Sequence, residues 1–430
     1  MGLASILQIY CDECTSINNV KTSQAHKIGS RGPLAFDNNT RAVLATLNTG
    51  IGELHLGKIT STLNIPPLSR TTFKKREREV GRAVEHIAKK SCRDATQWER
   101  MHSIENGNDE DSNGLVDITC SYDMDWQKRG RAFNSSTGHG AVMSLTSGKV
   151  LGFSTRNKKC RTCENNKDQS KPRVAHDCRL NYKGSSKYME TDVACQLFKD
   201  ALQDQVKYSS YVGDDDSTTL AELVKCTPYK LQKFSDIIHI KRSLGTRLYN
   251  LSQRAKFPNC SVLSRKVINY LQKCFSYCIN QNKNDPSQLS TAIKSIIPHA
   301  FGEHSNCDPT WCRFHQDPLG YTHQELPHGK DLHGKELKEA LESIMNEYTT
   351  DIVLNKLAPC LNSQRNESLN GTIGSKNPKI RYYGGSESSD FRIACGVAQR
   401  NEGHQYISKT LESLGITPGH YCNTYHTNLL

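Results

Sequence analysis

The 430-residue sequence predicts an α/β fold: a mixed sheet interrupted by a helical insertion, behind a small helical N-terminal region. Three observations carry that prediction. Near residue 115 the pattern changes from helical periodicity to β-rich runs. Beyond it the order is strands, helix, strand, helix, strand, which implies a parallel neighbour pair in the sheet. From 241 to about 350 the pattern is mostly helical again, and basic.

Taken in order, RAVLATLNTGIGELHLGKITSTLNIPPLS gives two short helices, broken at Gly50–Gly52 and at Pro66-Pro67, since glycine weakens a helix and proline stops one. RTTFKKREREVGRAVEHIAKK is a third helix, with Thr71 or Thr72 as N-cap. From Arg70 to Arg100 ten basic residues face five acidic ones, which suits DNA contact and a solvated helical face equally. HSIENGNDEDSN (102–113) has a linker's composition. LVDITCSYD (115–123) reads as a strand, and AVMSLTSGKVLGFSTR (141–156) as two strands around a Ser147-Gly148 turn. METDVACQLFKDALQDQV (189–206) is an amphipathic helix, and VKYSSYVG (206–213) a strand ending on Asp214-Asp215-Asp216. Ser217 caps the helix that follows, and FSDIIHI (234–240) is a further short strand. A loop or helix start occupies 323–336. A last amphipathic helix covers LAPCLNSQRNESLNGTIG, stopped by Gly374. The Gly/Ser/Asn-rich stretch after Pro378 is expected to be a tail with a poorly ordered end.

Fifty-six Lys/Arg against 44 Asp/Glu give a net charge of +12, which points to a polyanionic partner. The sharpest asymmetry runs from Lys225 to Lys273, eleven basic residues against the single acid Asp236. No stretch approaches the ~18 apolar residues of a membrane span, and the N-terminus lacks a signal-peptide pattern, so neither a membrane protein nor a secreted one is expected. The 17 cysteines are spread along the chain, several in close pairs near histidine. In a chain with no export signal they read as reduced thiols and zinc ligands, not as a disulfide framework.

Three acids stand out. Asp123 and Asp214 each close a β run, where a carboxylate can point into a site, and Glu367 lies on the last helix, three residues before Asn370 on the same face. Each has a plainer reading as a cap, a turn residue or a surface acid. Together, carboxylates from two strands and a helix could hold two Mg²⁺ or Mn²⁺ ions for in-line phosphoryl transfer.

At these same residues the sequence resembles a known family. Tyr122-Asp123-Met124-Asp125-Trp126-Gln127-Lys128-Arg129-Gly130 looks like the DGTWQKRG segment of the Mutator-like transposase domain. Gly184-Ser185-Ser186 with Tyr188-Met189-Glu190 is similar to its GSSGAME, and Val212-Gly213-Asp214-Asp215-Asp216-Ser217 to its SDGDS. Phe234-Ser235-Asp236-Ile237-Ile238-His239 resembles its kxDxxH stretch, and Asn366-Glu367-Ser368-Leu369-Asn370-Gly371 its NExxNG. The resemblance spans roughly residues 10–400 in the right order. It implies an RNase H-like, retroviral-integrase-type core with Asp123, Asp214 and Glu367 as a catalytic triad holding Mg²⁺ or Mn²⁺. Asp125, Asp216, His239 and Asn370 are auxiliary candidates, and His239 reads as well as a satisfied core histidine. The chain departs from the family pattern at Met124-Asp125, where a second carboxylate competes for the first role, and at Asp215.

On that basis the chain divides into an N-terminal helical, DNA-contacting candidate region (1–101) and a linker (102–114). The first part of the core (115–240) follows, with a Cys/His loop at 157–187. A helical insertion (241–350), a catalytic-helix part (351–377) and the tail (378–430) complete the chain.

Cys160-x-x-Cys163 with His176-x-Cys178 has the donors of a tetrahedral structural Zn²⁺ site, in a loop with ten basic residues against three acids from Arg156 to Lys187. His304, Cys307, Cys312 and His315 form a second candidate zinc group, similar to the family's Cys/His signature within the insertion. Cys11-x-x-Cys14 has no clear second pair. Lys128, Arg129 and Arg131 after the first catalytic strand, and Lys241, Arg242 and Arg247 in the basic stretch, are candidate phosphate contacts.

The leading expectation is a DNA transposase that nicks element ends and joins the 3′-hydroxyl to target DNA, bound to terminal inverted repeats and target duplex, homo-oligomeric on paired ends, and nuclear. The alternative is a domesticated, catalytically silent DNA-binding descendant. A nuclease acting on RNA or hybrid duplexes is a third reading.

Overall fold

The computed structural model describes residues 2–29, 32–128, 134–166, 175–213, 217–254 and 257–427. It is mixed α/β and forms two compact units. One comprises Met1–Ser209, Thr218–Lys230 and Gln364–Leu430, the other Ser210–Ser217 and Leu231–Ser363.

The first unit opens with two small hairpins, β1 (Ile6–Tyr10) with β2 (Ile17–Lys21), and β3 (Ala25–Lys27) with β4 (Leu34–Phe36). Helices α1 (Asp37–Asn48), α2 (Glu53–Thr62) and α3 (Arg70–Glu105) follow, with breaks at the two places where glycine and proline were expected to make them. The N-cap of α3 is Ser69, ahead of both threonines: its Oγ accepts from the Thr72 amide at 3.2 Å. Ser69 is extended, with φ −63° and ψ 146°, the conformation an N-cap takes. The helix runs four residues into the expected linker, carrying Phe73, Val80, Val84 and Ile87 on its buried stripe.

The five-stranded sheet has the order β7-β6-β5-β8-β9. β5 (Val116–Trp126), β6 (Thr137–Ser144) and β7 (Val150–Asn157) form an antiparallel meander, turning at Ser147-Gly148 as the sequence indicates. The short α4 (Arg161–Asn165) and then α5 (Met189–Asp200) lead into β8 (Val206–Gly213), α6 (Ser217–Cys226) and β9 (Gln232–Ser235). The amide of Val116, first residue of β5, donates to the carbonyl of Gln205, just before β8. Both strands therefore start at one end of the sheet and run in the same direction. β8 and β9 are parallel by register.

The FSDIIHI stretch is only half a strand. β9 ends at Ser235, and the buried Asp236 caps α7 (Ile237–Arg254), accepting the Ile238 amide at 2.7 Å. An Asx cap competes with the ladder and wins here, so His239 sits in the first turn of a helix. α8 (Arg265–Gln281), α9 (Pro286–Ala300), α10 (Lys335–Asn346) and α11 (Asp351–Leu357) complete the second unit around Leu244, Leu271, Phe275, Ile293 and Leu341.

The expected last helix is two: α11 and α12 (Gln364–Lys376), separated where Cys360 takes a positive φ of 57°. α12 also runs past Gly374. The segment expected to be a loose tail holds α13 (Glu387–Glu402), α14 (Tyr406–Ser413) and α15 (His420–Thr427). α13 is buried along most of its length, with Phe391, Ile393, Val397 and Ala398 packed among Val80, Val84 and Ile87 of α3 and Ala141, Met143 and Val150 of the sheet. A helix covered all round carries no amphipathic stripe, and its serines and glycine passed for loop composition. No helix among the described residues is long and apolar enough to cross a membrane.

Candidate functional site

Strand geometry puts the odd-numbered residues of β5 on one face, and α12 lies along that face. Ser121 Oγ donates to Asn366 Oδ1 at 2.5 Å, and Asn370 Nδ2 donates to Asp123 Oδ2 at 2.9 Å. The match is metrical: four residues of helix rise about 6 Å, and two residues of strand advance about 6.6 Å. Asn366 Nδ2 also donates to the Ala141 carbonyl at 3.0 Å, bridging to the neighbouring strand. Glu367 lies three residues before Asn370, about 60° around the helix from it, and is exposed; Asp123 is half-buried.

Asp125, two residues further along the strand, forms an ion pair with Lys379. Opposite it in register stands His139, 5% exposed, with no hydrogen-bond partner for Nε2 and its pKa held down by burial. The same burial pushes the Tyr122 phenol far up, with the charges of Glu190 and Asp123 adding to it. Lys379 and His139 were missed by sequence reasoning; β6 begins at Thr137, four residues before the β run read from the sequence at Ala141, so His139 fell outside that run.

Asp214 and Asp216 lie outside the described residues, as do Arg129 and Arg131. Lys128 is exposed at the end of β5. On α7, Lys241 and Arg242 lie away from the Ile240–Leu244–Leu248 stripe, whereas Arg247 is paired with Glu347 and lies over the Tyr348 ring.

Among the described residues, two groups of side chains could hold a metal ion. In the first unit Cys160, Cys163, His176 and Cys178 converge. Cys160 Sγ and Cys163 Sγ lie 3.2 and 3.4 Å from His176 Nε2, and Cys163 Sγ lies 3.4 Å from Cys178 Sγ. A tetrahedron with bonds of about 2.0 Å to nitrogen and 2.3 Å to sulfur has edges of roughly 3.3–3.8 Å, so the donors stand close to where Zn²⁺ needs them. Without a cation the Cys163 thiol is pushed up to about 12, first by its hydrogen bond to Cys178; a dication reverses that preference.

In the second unit the converging set is His299, His304, Cys307 and Cys312, all buried. His299 Nδ1 is 3.1 Å from His304 Nδ1 and 3.4 Å from Cys307 Sγ. The expected fourth member, His315, instead places Nε2 3.2 Å from the Cys307 carbonyl. His299 takes its place because the end of α9 points back at the loop; a search confined to the loop's own sequence passes over it. Burial pushes the Cys307 thiol up to about 12 and the His299 ring down to about 3; the neutral ring is ready to donate to a metal, whereas the thiol gives up its proton only as a dication binds.

A family model described as Mutator-like transposase matches residues 1–312, and the chain belongs to that family. The match takes in Asp123, Asp214 and both Cys/His groups, and ends before α12. No curated protein matches the chain.

Proposed function

We propose that this member of the Mutator-like transposase family cuts DNA strands and joins 3′ ends to target DNA through Asp123, Asp214 and Glu367. The observation that carries the reading is the seating of α12 on β5, two asparagines in step with two strand residues. An ordinary surface glutamate has no need of that register. The sheet, with β5 central, antiparallel neighbours on one side and parallel strands on the other, agrees with the RNase H-like core that the sequence resemblance implies.

The donor set fits the expected ion. Carboxylate oxygens are hard ligands of the kind Mg²⁺ and Mn²⁺ take, and Asp123 and Glu367 are both open to a hydrated cation. Bound there with Asp214, the ion would activate a water or a 3′-hydroxyl and stabilise the leaving oxygen. Asn370 holds Asp123 in one orientation. Lys379 neutralises Asp125, so the extra acid of this chain is drawn away from the role of Asp123. Lys128 and the basic stretch from Lys225 to Lys273 supply phosphate contacts, which makes binding strongly salt-dependent. The Cys/His groups act as structural zinc staples. Terminal repeats and target duplex are the substrates, paired by a homo-oligomer in the nucleus.

Nicking of supercoiled plasmid in Mg²⁺ tests this. Asp123→Asn, Asp214→Asn and Glu367→Gln are each expected to abolish nicking while leaving DNA binding in place. Equal cutting by wild type and Asp214→Asn refutes the triad. Salt-sensitive binding with no cutting by wild type moves the protein to the catalytically silent reading.

A further inference from the structure

A groove of about 430 Å³ follows α12, lined by Asn370, Gly371 and Gly374 and, beyond the helix, by Pro378 and Ile380. Gly371 and Gly374 come four and seven residues after Glu367, so they sit about 40° and 20° around the helix from it, on one face. The fold requires glycine at neither position. Both residues lie inside the helix, and neither takes a positive φ. A Cβ on either would meet nothing within 4 Å among the described residues. Gly374 is no helix stop, since α12 runs on to Lys376. Glycine is the poorest helix former after proline, so two on one open face weaken the helix with no gain in packing. Such glycines are explained where another molecule comes close to the backbone.

A second feature points to a ligand at the same place. A recess of about 10 Å³ shares Asp125, Gly374 and Lys379 with the groove, room for roughly one water. Thr137 and His139, 2% and 5% exposed, line it. Thr137 Oγ1 and His139 Nε2 have no hydrogen-bond partner among the described residues. Whichever ring nitrogen carries the proton, the chain leaves Nε2 unsatisfied, and buried polar atoms of this kind normally find a partner. Lys379 pairs with Asp125, so the lining carries no net charge and charge does not choose the guest. Position does: Asn370 holds Asp123, and the glycines continue the face that bears Glu367.

We propose that this face of α12 is the bed of the DNA strand being cut, where the sugar–phosphate backbone beside the scissile phosphate lies against the two glycines. Seven residues of helix, from Glu367 to Gly374, rise about 10.5 Å, which is about three nucleotides of a duplex strand at ~3.4 Å each. The bed therefore takes the nucleotides next to the cut on one side. Ile380, 88% exposed, gives the last of them an apolar contact. The recess beside Gly374 lets one water join Thr137 and His139 to an oxygen of that strand. Side chains at 371 and 374 would lift the strand away from the acids. This inference rests on the reading that Asp123, Asp214 and Glu367 cut DNA.

The test uses the full-length protein with supercoiled plasmid in Mg²⁺ and with a short duplex at low salt. Gly371→Ala and Gly374→Ala are each expected to raise the melting temperature by about 2 °C through helix propensity alone. Both should nevertheless slow single-turnover nicking by roughly 100-fold, the cost of displacing a reacting group by about 1 Å. Gly371 is exposed, so Gly371→Leu keeps the fold; it should weaken duplex binding by roughly 5- to 150-fold, the cost of overpacking a close contact. Ser368 lies outside the groove lining, about 100° around α12 from Glu367. Ser368→Ala also improves helix propensity and should nick at the wild-type rate. Stabilised glycine variants that nick and bind as wild type does overturn the bed and leave the DNA-cutting reading standing. Glycine variants that lose stability overturn the bed as well, because the face is then packed rather than open. Wild type that binds duplex without cutting overturns the cutting reading; the bed then stands as a DNA contact if Gly371→Leu binds more weakly and falls if it binds equally. Wild type that neither binds nor cuts overturns both.

Discussion

Gly396→Ala tests whether the seat of α12 positions the proposed catalytic acids. Gly396 lies on α13 where α12 crosses it. A Cβ there would stand 2.5 Å from Cγ1 of Ile373, 3.0 Å from its Cα and 3.2 Å from its Cβ, whereas ordinary van der Waals separation begins at 3.4 Å. Even after the Ile373 side chain turns away, its backbone must retreat until the 3.0 Å separation opens to 3.4 Å, and if the side chain does not turn, Cγ1 must retreat from 2.5 to 3.4 Å. Overpacking of this kind costs about 1–3 kcal/mol. The same helix carries Glu367 and the Asn370 that holds Asp123. A misplacement on the order of 1 Å costs about 100-fold in rate, so a sub-ångström shift of α12 is expected to cost about tenfold or more. The assay is single-turnover plasmid nicking well below the melting temperature, run beside thermal unfolding. Adding Ile373→Ala removes Cγ1 and leaves the backbone of residue 373 crowded, so it should restore part of the rate. A lowered melting temperature with an unchanged nicking rate refutes the claim that this crossing sets the acids, and so does no change in either.

Three further outcomes follow from the packing. His299→Ala should lose one zinc by metal analysis while His315→Ala keeps it; the reverse result restores His315 as the ligand. Burial pushes the Asp390 carboxyl up to about 6 from its ordinary 3.8, against the pull of Thr155, Arg179 and Asn157. The folded chain holds that proton more tightly than the unfolded one. The contribution is therefore full below pH ~4 and lost as pH rises through ~6, roughly 3 kcal/mol in all. Urea unfolding from pH ~4 to ~7 should show wild type falling relative to Asp390→Asn; parallel profiles contradict this. Arg392, fully buried, donates to the carbonyls of Lys376 at 2.9 Å and Ile51 at 2.7 Å and stacks on Tyr383 at 3.8 Å. A lysine cannot fill that fork, so Arg392→Lys should cost on the order of 3 kcal/mol, and a stability loss in urea of a few tenths would sink the assignment.

Much of the first unit was legible because its signals are local. The strands at 115–123 and 206–213 show β-rich runs, and Ser147-Gly148 marks the turn. Gly50–Gly52 and Pro66-Pro67 punctuate the helices. What failed depends on contacts that no window contains. FSDIIHI has strand-like composition, but Asp236 also binds Ser363, its Oδ2 accepting that amide at 2.8 Å, and this anchored residue starts a helix. α13 is covered by α3 and the sheet, so it lacks the polar face by which a helix is recognised. The acids and asparagines of the site were readable as motifs, whereas Lys379 and His299 reach their sites only through tertiary approach.

The polar residues on α12 explain why its position is well defined. Apolar packing of Leu369 and Ile373 alone favours burial without strongly selecting one axial register, and a slip by one turn would shift Glu367 by about 5.4 Å. Asn366 and Asn370 match Ser121 and Asp123 only in one register. At the other end the buried Lys376 gives Nζ to the carbonyl and Oδ1 of Asn48, at 3.0 and 2.8 Å. Burial draws the pKa of that amine down, an expense justified if the two ends must be fixed together. A buried polar group that specifies register rather than adding net stability is a known use of such residues. It places the definition of the position of α12 in its polar contacts, and it accounts for a helix whose sequence, NESLNGTIG, carries so little apolar signal.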